Sequence, residues 1–165
     1  EIGLDYSSIA TSISSFKAIP HRLEFLGKVD NLCFYNDSKA TNFESSITGL
    51  KSAPAPIILL AGGIQKKGSH LPWIEQIKKS TFGVMLYGAS AEELKKALVI
   101  SSYEGEIMVK RNLEEATIAS IELARKTNSK SILLSPACAS FDQYQNYEER
   151  GNHFKKLVKD YTNIN

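Results

Sequence analysis

The sequence is poor in the features that would place it outside ordinary globular proteins. Two cysteines in 165 residues, Cys33 and Cys138, cannot build a disulfide framework, and such sparing use fits a reducing compartment. The longest apolar runs, such as Ile57 to Ala61, are strand-length and far below the ~20 residues that a membrane helix needs. The start holds Glu1 and Asp5 where a secretory leader would be basic, so no leader is expected. A formal charge of +2 is too small to argue for nucleic acid, and no basic stretch with interleaved aromatics suggests otherwise. His21, His70 and His153 lie far apart without ligand spacing, so no metal site is expected within the chain, and His153 reads as a solvated residue on a helix face. The first residue is not methionine, which suggests a fragment or a processed product.

What is present suits one α/β domain: 42% hydrophobic and 23% charged residues. Ile9, Ile13 and Phe16 follow helical spacing, predicting an amphipathic helix over 6–17 that Pro20 ends. Extended runs Arg22–Val29 and Asn31–Tyr35, parted by a polar Asp30-Asn31 turn, read as a hairpin. A strand-then-helix rhythm follows. Leu32–Tyr35 leads to a helix with Phe43, Ile47 and Leu50 on one face. Ile57–Leu60 leads through a glycine-rich loop to Trp73, Ile74 and Ile77. Val84–Tyr87 leads to Ser90 and Glu93, spaced as a capping box before Leu94, Ala97 and Leu98. Ile107–Val109 leads to Asn112 as N-cap and then to Ala116, Ala119 and Leu123. Ile132–Leu134 leads to a polar loop and a last helix carrying Phe154, Leu157, Val158 and Tyr161. Short apolar strands without alternation are buried on both faces, so the fold expected is a Rossmann-like, doubly wound, mostly parallel sheet with helices on both sides.

Ligands of such sheets lie beyond the carboxyl ends of the strands, and three polar stretches sit there. Asn36–Asn42 packs an acid, a base, two hydroxyls and two amides into seven residues. Thr41 or Asn42 can cap the following helix, but capping does not use Asp37 or Lys39. A carboxylate at a strand end suits a ribose, and a lysine beside a helix N-terminus suits an anion. Ala61–Gly68 resembles a phosphate loop but has Ser69 where the P-loop lysine belongs. Gly62-Gly63 can equally be a tight turn, while Lys66 and Lys67 offer a clamp for a small carboxylate. Ser135–Gly151 supplies small residues, the Ser140 hydroxyl and Arg150, which can pair with an anion. Cys33 reads as a core thiol. Cys138 lacks a histidine partner and does not read as a nucleophile.

Together His21-Arg22, Asn36-Asp37-Ser38-Lys39-Ala40-Thr41-Asn42, Gly62-Gly63, Ser135-Pro136-Ala137-Cys138-Ala139-Ser140 and Asn146-Tyr147-Glu148-Glu149-Arg150-Gly151 resemble the C-terminal domain of the Mur ligase family, in the branch that adds D-glutamate. The resemblance runs from about Ile9 to the end. It implies a cytoplasmic, monomeric, ATP- and Mg²⁺-dependent amide ligase of peptidoglycan synthesis, whose N-terminal and central domains are missing here. Residues 1–20 would be the end of the central ATPase domain and a hinge, and residues 21–165 the C-terminal domain. In that family ATP phosphorylates the carboxylate of UDP-N-acetylmuramoyl-L-alanine, and the D-glutamate amine attacks the acyl phosphate. Carried over by motif, His21, Arg22, Asp37, Asn146 and Arg150 would lie on the nucleotide side. Thr41, Ser140, the backbone around Phe141, Tyr147 and a lysine after Gly62-Gly63 would hold D-glutamate, and Lys39, with Thr41, would orient the reacting end. An apparent one-residue insertion leaves that lysine as Lys66 or Lys67; continuity with Gly68-Ser69 favours Lys67. A non-catalytic nucleotide-binding module and a sister ligase adding another amino acid are the competing readings.

Overall fold

The computed structural model describes residues 5–14 and 19–163. In chain order these form α1 (Tyr6–Ser14), β1 (Glu24–Val29), β2 (Leu32–Asn36), α2 (Phe43–Ser52), β3 (Ile57–Gly62), α3 (Leu71–Ser80), β4 (Thr81–Tyr87), α4 (Ala91–Ile100), β5 (Glu106–Lys110), α5 (Leu113–Arg125), β6 (Ser131–Leu134) and α6 (Tyr147–Thr162). The first helix was expected to reach residue 17; residues 15–18, including Phe16, lie outside the described ones, and Tyr6 and Ile9 face solvent. The first strand begins two residues later than expected, because His21 (φ 62°) and Leu23 (φ 44°) take left-handed backbone conformations that no strand continues.

The six strands form one sheet in the order β1-β2-β6-β3-β4-β5. β1 and β2 make the expected antiparallel hairpin, with a bulge between Phe25 and Gly27, and every other pairing is parallel. β6 returns to lie between β2 and β3, so the chain changes winding direction there, and the loops after these strands converge at their carboxyl ends.

Alternation along the strands divides the core in two. Ile57, Leu59 and Ala61 of β3 pack with Phe43, Leu50, Trp73, Ile77, Leu94 and Leu98 of α2, α3 and α4. Ile58 and Leu60 pack with Leu113, Ile121, Phe154 and Leu157 of α5 and α6 on the other face. Each such buried Leu, Ile or Phe contributes about 1.5–3 kcal/mol, which is why unbroken apolar runs suffice to write the centre of the sheet. The Trp73 indole donates to Ser46 Oγ at 3.0 Å, and Ser46 Oγ donates to the Ser135 carbonyl at 2.9 Å, tying α3 and α2 to the loop after β6. Asn42, Asn112 and Asn146 cap α2, α5 and α6 through their side chains.

Ser90 does not make the expected capping box. Its hydroxyl accepts the Gln65 amide at 2.9 Å and so belongs to the glycine-rich loop. Cys33 is half-buried within the hairpin rather than in the core, and His153 is not simply solvated: its Nδ1 bonds the Tyr144 hydroxyl at 2.7 Å. No helix among the described residues is long and apolar enough to cross a membrane.

Candidate functional site

The loop after β2 starts from a fully buried amide. Asn36 Nδ2 donates to His21 Nδ1 (2.9 Å) and Glu24 Oε2 (3.1 Å), while Asn36 Oδ1 accepts the Ser38 amide (3.2 Å). With Asn36 donating, His21 Nδ1 is an acceptor, which requires a neutral ring; burial pushes the His21 pKa down and favours that form. Gly151 makes room for this ring, since a Cβ there would sit 2.2 Å from His21 Nδ1. His21 therefore faces inward as a post under the loop.

Asp37 is nine-tenths buried. Its Oδ1 accepts the Leu23 amide at 3.1 Å and its Oδ2 accepts the Ser135 hydroxyl at 2.8 Å. Desolvation raises its pKa to about 6, against the lowering effects of Ser135, the Leu23 amide and the nearby Arg22 charge. Gly49 lets α2 approach this carboxylate; a Cβ there would meet Asp37 Oδ2 at 2.5 Å. Asp37 and Arg22 open onto a cleft of about 420 Å³, lined also by Leu23, Lys39, Ala40, Ser45, Thr48 and Gly49. The Lys39 ammonium is held by the Tyr147 hydroxyl at 2.8 Å, and its backbone N–H donates to the His21 carbonyl at 3.0 Å.

The glycine-rich loop is built against the loop after β6. Gly62 and Gly63 have φ of 140° and 124°, and a Cβ on either would strike a carbonyl, Tyr87 O at 1.8 Å or Ala139 O at 2.1 Å. Ile64 and Ala139 exchange two backbone hydrogen bonds (2.8 and 2.9 Å). This bridge ties the loop that carries Lys66 to the loop that carries Ser140. Lys66 Nζ reaches Thr41 Oγ1 at 3.5 Å. Lys67, the lysine favoured from sequence, is exposed and makes no side-chain hydrogen bond among the described residues. Ser140 is 2% exposed, and its carbonyl accepts the Gln143 and Tyr144 amides. The Phe141 side chain is 70% exposed.

Two residues expected on the nucleotide side are committed elsewhere. Arg150 is wholly buried, with Nε on Ser38 Oγ (3.0 Å), Nη2 on Ser38 O (2.8 Å) and Nη1 on Cys138 O (3.1 Å), so it ties two loops together instead of meeting a ligand at the surface. Asn146 Oδ1 accepts the Glu149 amide at 2.7 Å as the cap of α6. Cys138 is fully buried, and desolvation raises its pKa to about 12, which keeps it a thiol.

Sequence reasoning gave no role to Ser38, which accepts from Arg150 and donates to the Tyr147 carbonyl at 2.8 Å, nor to Ser135 and Gly49, which frame Asp37. Their partners lie up to 112 residues away, so no local pattern announces them.

A mostly parallel sheet with its switch at β6, a cleft lined by Asp37, Arg22 and Lys39, and a separate contact between Lys66 and Thr41 make up an α/β domain of a fold seen in amide ligases. The sheet superposes on Mycobacterium tuberculosis folylpolyglutamate synthase complexed with ADP and AMPPCP (TM-score 0.64, 12% identity, 94% of this chain and 36% of that one). It superposes equally on the UDP-N-acetylmuramate–alanine ligase MurC of Thermotoga maritima (TM-score 0.62, 13% identity, 99% and 35%). In sequence, the chain is 76% identical over 161 residues to the UDP-N-acetylmuramoylalanine–D-glutamate ligase of Prochlorococcus marinus strain NATL2A, covering 98% of this chain. No family model matches. Over nearly its whole length the chain is similar to that D-glutamate ligase, and it spans about one third (34%) of the length of that curated relative.

Proposed function

We propose that this chain is the C-terminal domain of an ATP-dependent ligase that joins D-glutamate to UDP-N-acetylmuramoyl-L-alanine. The observation that carries this reading is the presence of two polar places beyond the carboxyl ends of the strands: the Asp37–Arg22 cleft, and the Lys66–Thr41 contact on a loop bridged to the one that carries Ser140.

At the Lys66–Thr41 contact, D-glutamate needs donors for two carboxylates. The Lys66 ammonium, the Thr41 and Ser140 hydroxyls and the N-terminus of α2, which starts two residues after Thr41, supply them. In the cleft, the Asp37 carboxylate accepts from ribose hydroxyls and Arg22 meets the phosphate side. A folylpolyglutamate synthase of the same fold is known in complex with ADP, which is consistent with nucleotide use by a ligase of this fold. Lys39, steadied by Tyr147, stands between the two subsites and orients the reacting carboxylate. Holding amine and acyl phosphate at fixed geometry is the contribution of this domain: the D-glutamate amine attacks the acyl carbon, a C–N bond forms, and the C–O bond to phosphate breaks. Among the described residues no three His, Cys, Asp or Glu side chains converge to hold a metal ion. In this reading Mg²⁺ would be held by the rest of the ligase.

Residues 1–20 belong, in this reading, to the preceding domain and a hinge. The exposure of Tyr6 and Ile9 and the left-handed turns at His21 and Leu23 support that division. The test is phosphate release by the full-length enzyme with ATP, Mg²⁺, the nucleotide precursor and single amino acids. D-Glutamate alone should support turnover; equal turnover with a diamino acid or L-alanine would assign the chain to a sister ligase.

A further inference from the structure

We infer that Phe25 and Tyr35 form a stacking wall for the base of the nucleotide whose ribose Asp37 holds, an assignment that rests on the nucleotide reading of that cleft. The two residues pair across the hairpin, with ring centroids 5.4 Å apart and planes at 51°. Phe25 is 55% exposed, an apolar ring kept in water two residues along the chain from Leu23, which lines the cleft.

Their position fits a base. Leu23 and Tyr35 pack against the core cluster on the α2 side of the sheet. Asp37 also faces that side, in contact distance of Gly49. The residues between them point the other way, Glu24 to Lys155 and Asn36 to the Gly151 carbonyl, both of α6. The Phe25–Tyr35 pair thus sits one rung along the same face from Leu23 and Asp37, which are joined by the Leu23 N–H···Oδ1 bond. One rung is two residues, about 6.8 Å of strand, a distance that a base attached to the ribose spans. The bulge falls directly after Phe25, where Leu26 is the extra residue and Gly27 has a φ of 145°. Bulges re-aim side chains beside ligand sites. An aromatic ring offers a base its face without reading its edge, so the wall would favour nucleotides by stacking.

The experiment uses the full-length enzyme and calorimetric titration with two probes, ADP and ribose 5-diphosphate, which lacks the base. Phe25→Ala should weaken ADP about tenfold, leave ribose 5-diphosphate unchanged and leave the D-glutamate Michaelis constant unchanged. Phe25→Trp should retain ADP affinity, and its fluorescence should be quenched by ADP but not by ribose 5-diphosphate. Unchanged ADP affinity in Phe25→Ala would overturn the inference. So would equal weakening of both probes, the result for a surface that docks against the rest of the protein. Asp37→Asn separates the underlying reading: it should weaken both probes alike, and if it weakens neither, the cleft itself is not the nucleotide site.

Discussion

Replacing Arg150 by methionine removes a fully buried side chain that ties the loop after β2 to the loop after β6. Its guanidinium is fully buried, so every bond it makes is desolvated. Ser38 Oγ would keep a partner in the Tyr147 carbonyl, but the Ser38 and Cys138 carbonyls would lose theirs. Each orphaned buried acceptor costs about 1–3 kcal/mol. Burying the cation itself costs several kcal/mol, which its removal returns in part, and methionine fills most of the vacated volume. The net expectation is a loss of about 2–5 kcal/mol. With a urea m-value of about 2 kcal/mol/M, the unfolding midpoint of the 165-residue chain should fall by roughly 1–2.5 M. Arg150→Lys, which keeps the charge but not the fork, should fall between. A Met variant whose midpoint moves by less than about 0.5 M, with native circular dichroism, would refute the claim that Arg150 is a structural post and would return it to the surface role expected from sequence.

Gly62→Ala places a Cβ 1.8 Å from the Tyr87 carbonyl at a φ of 140° and should destabilise the chain by at least about 2 kcal/mol. Gly68→Ala, at a φ of 151° but with open space around it, should cost only about 1 kcal/mol of backbone strain, measured in the same urea series. Asp37 gives a pH signature. Its pKa rises on folding from 3.8 to about 6, so its contribution to stability is fully present below pH 4 and is lost as pH rises through 6. Asp37→Asn should therefore gain about 2–3 kcal/mol relative to the parent chain between pH 4 and pH 7.5, and parallel pH profiles would contradict this. The 165-residue chain alone should release no phosphate from ATP in the presence of D-glutamate and the nucleotide precursor. Turnover above background in material free of full-length enzyme would contradict the division of labour proposed for it.

How far the sequence could be read depended on how local each determinant is. Buried parallel strands are written as unbroken apolar runs, and Asn42 and Asn112 cap the helices that follow them, so the architecture and most element ends were legible, whereas the cap role of Asn146 was not. Ser90 misled because its pattern is that of a capping box, while the hydroxyl is taken by Gln65 from another loop. The loop carrying Lys66 and Lys67 has no periodicity to fix its register. The antiparallel bridge between Ile64 and Ala139 and the Gln65 amide bond to Ser90 fix it in the fold, with Lys66 Nζ reaching Thr41 Oγ1. Arg150 looked like an anion partner for a similar reason: a buried guanidinium and an exposed one share the same local sequence, and the difference lies in Ser38, which is 112 residues away.

The central claim is that two independent subsites lie beyond the carboxyl ends of the strands, and paired steady-state kinetics on the full-length enzyme test it most directly. Lys66→Ala should raise the Michaelis constant for D-glutamate by roughly tenfold or more, the loss of a charge-assisted bond, and leave that for ATP within about twofold. Asp37→Asn should do the reverse, and Lys67→Ala should change neither. A Lys66→Ala enzyme with both constants raised equally, or one that is unaffected while Lys67→Ala loses D-glutamate, would contradict the assignment.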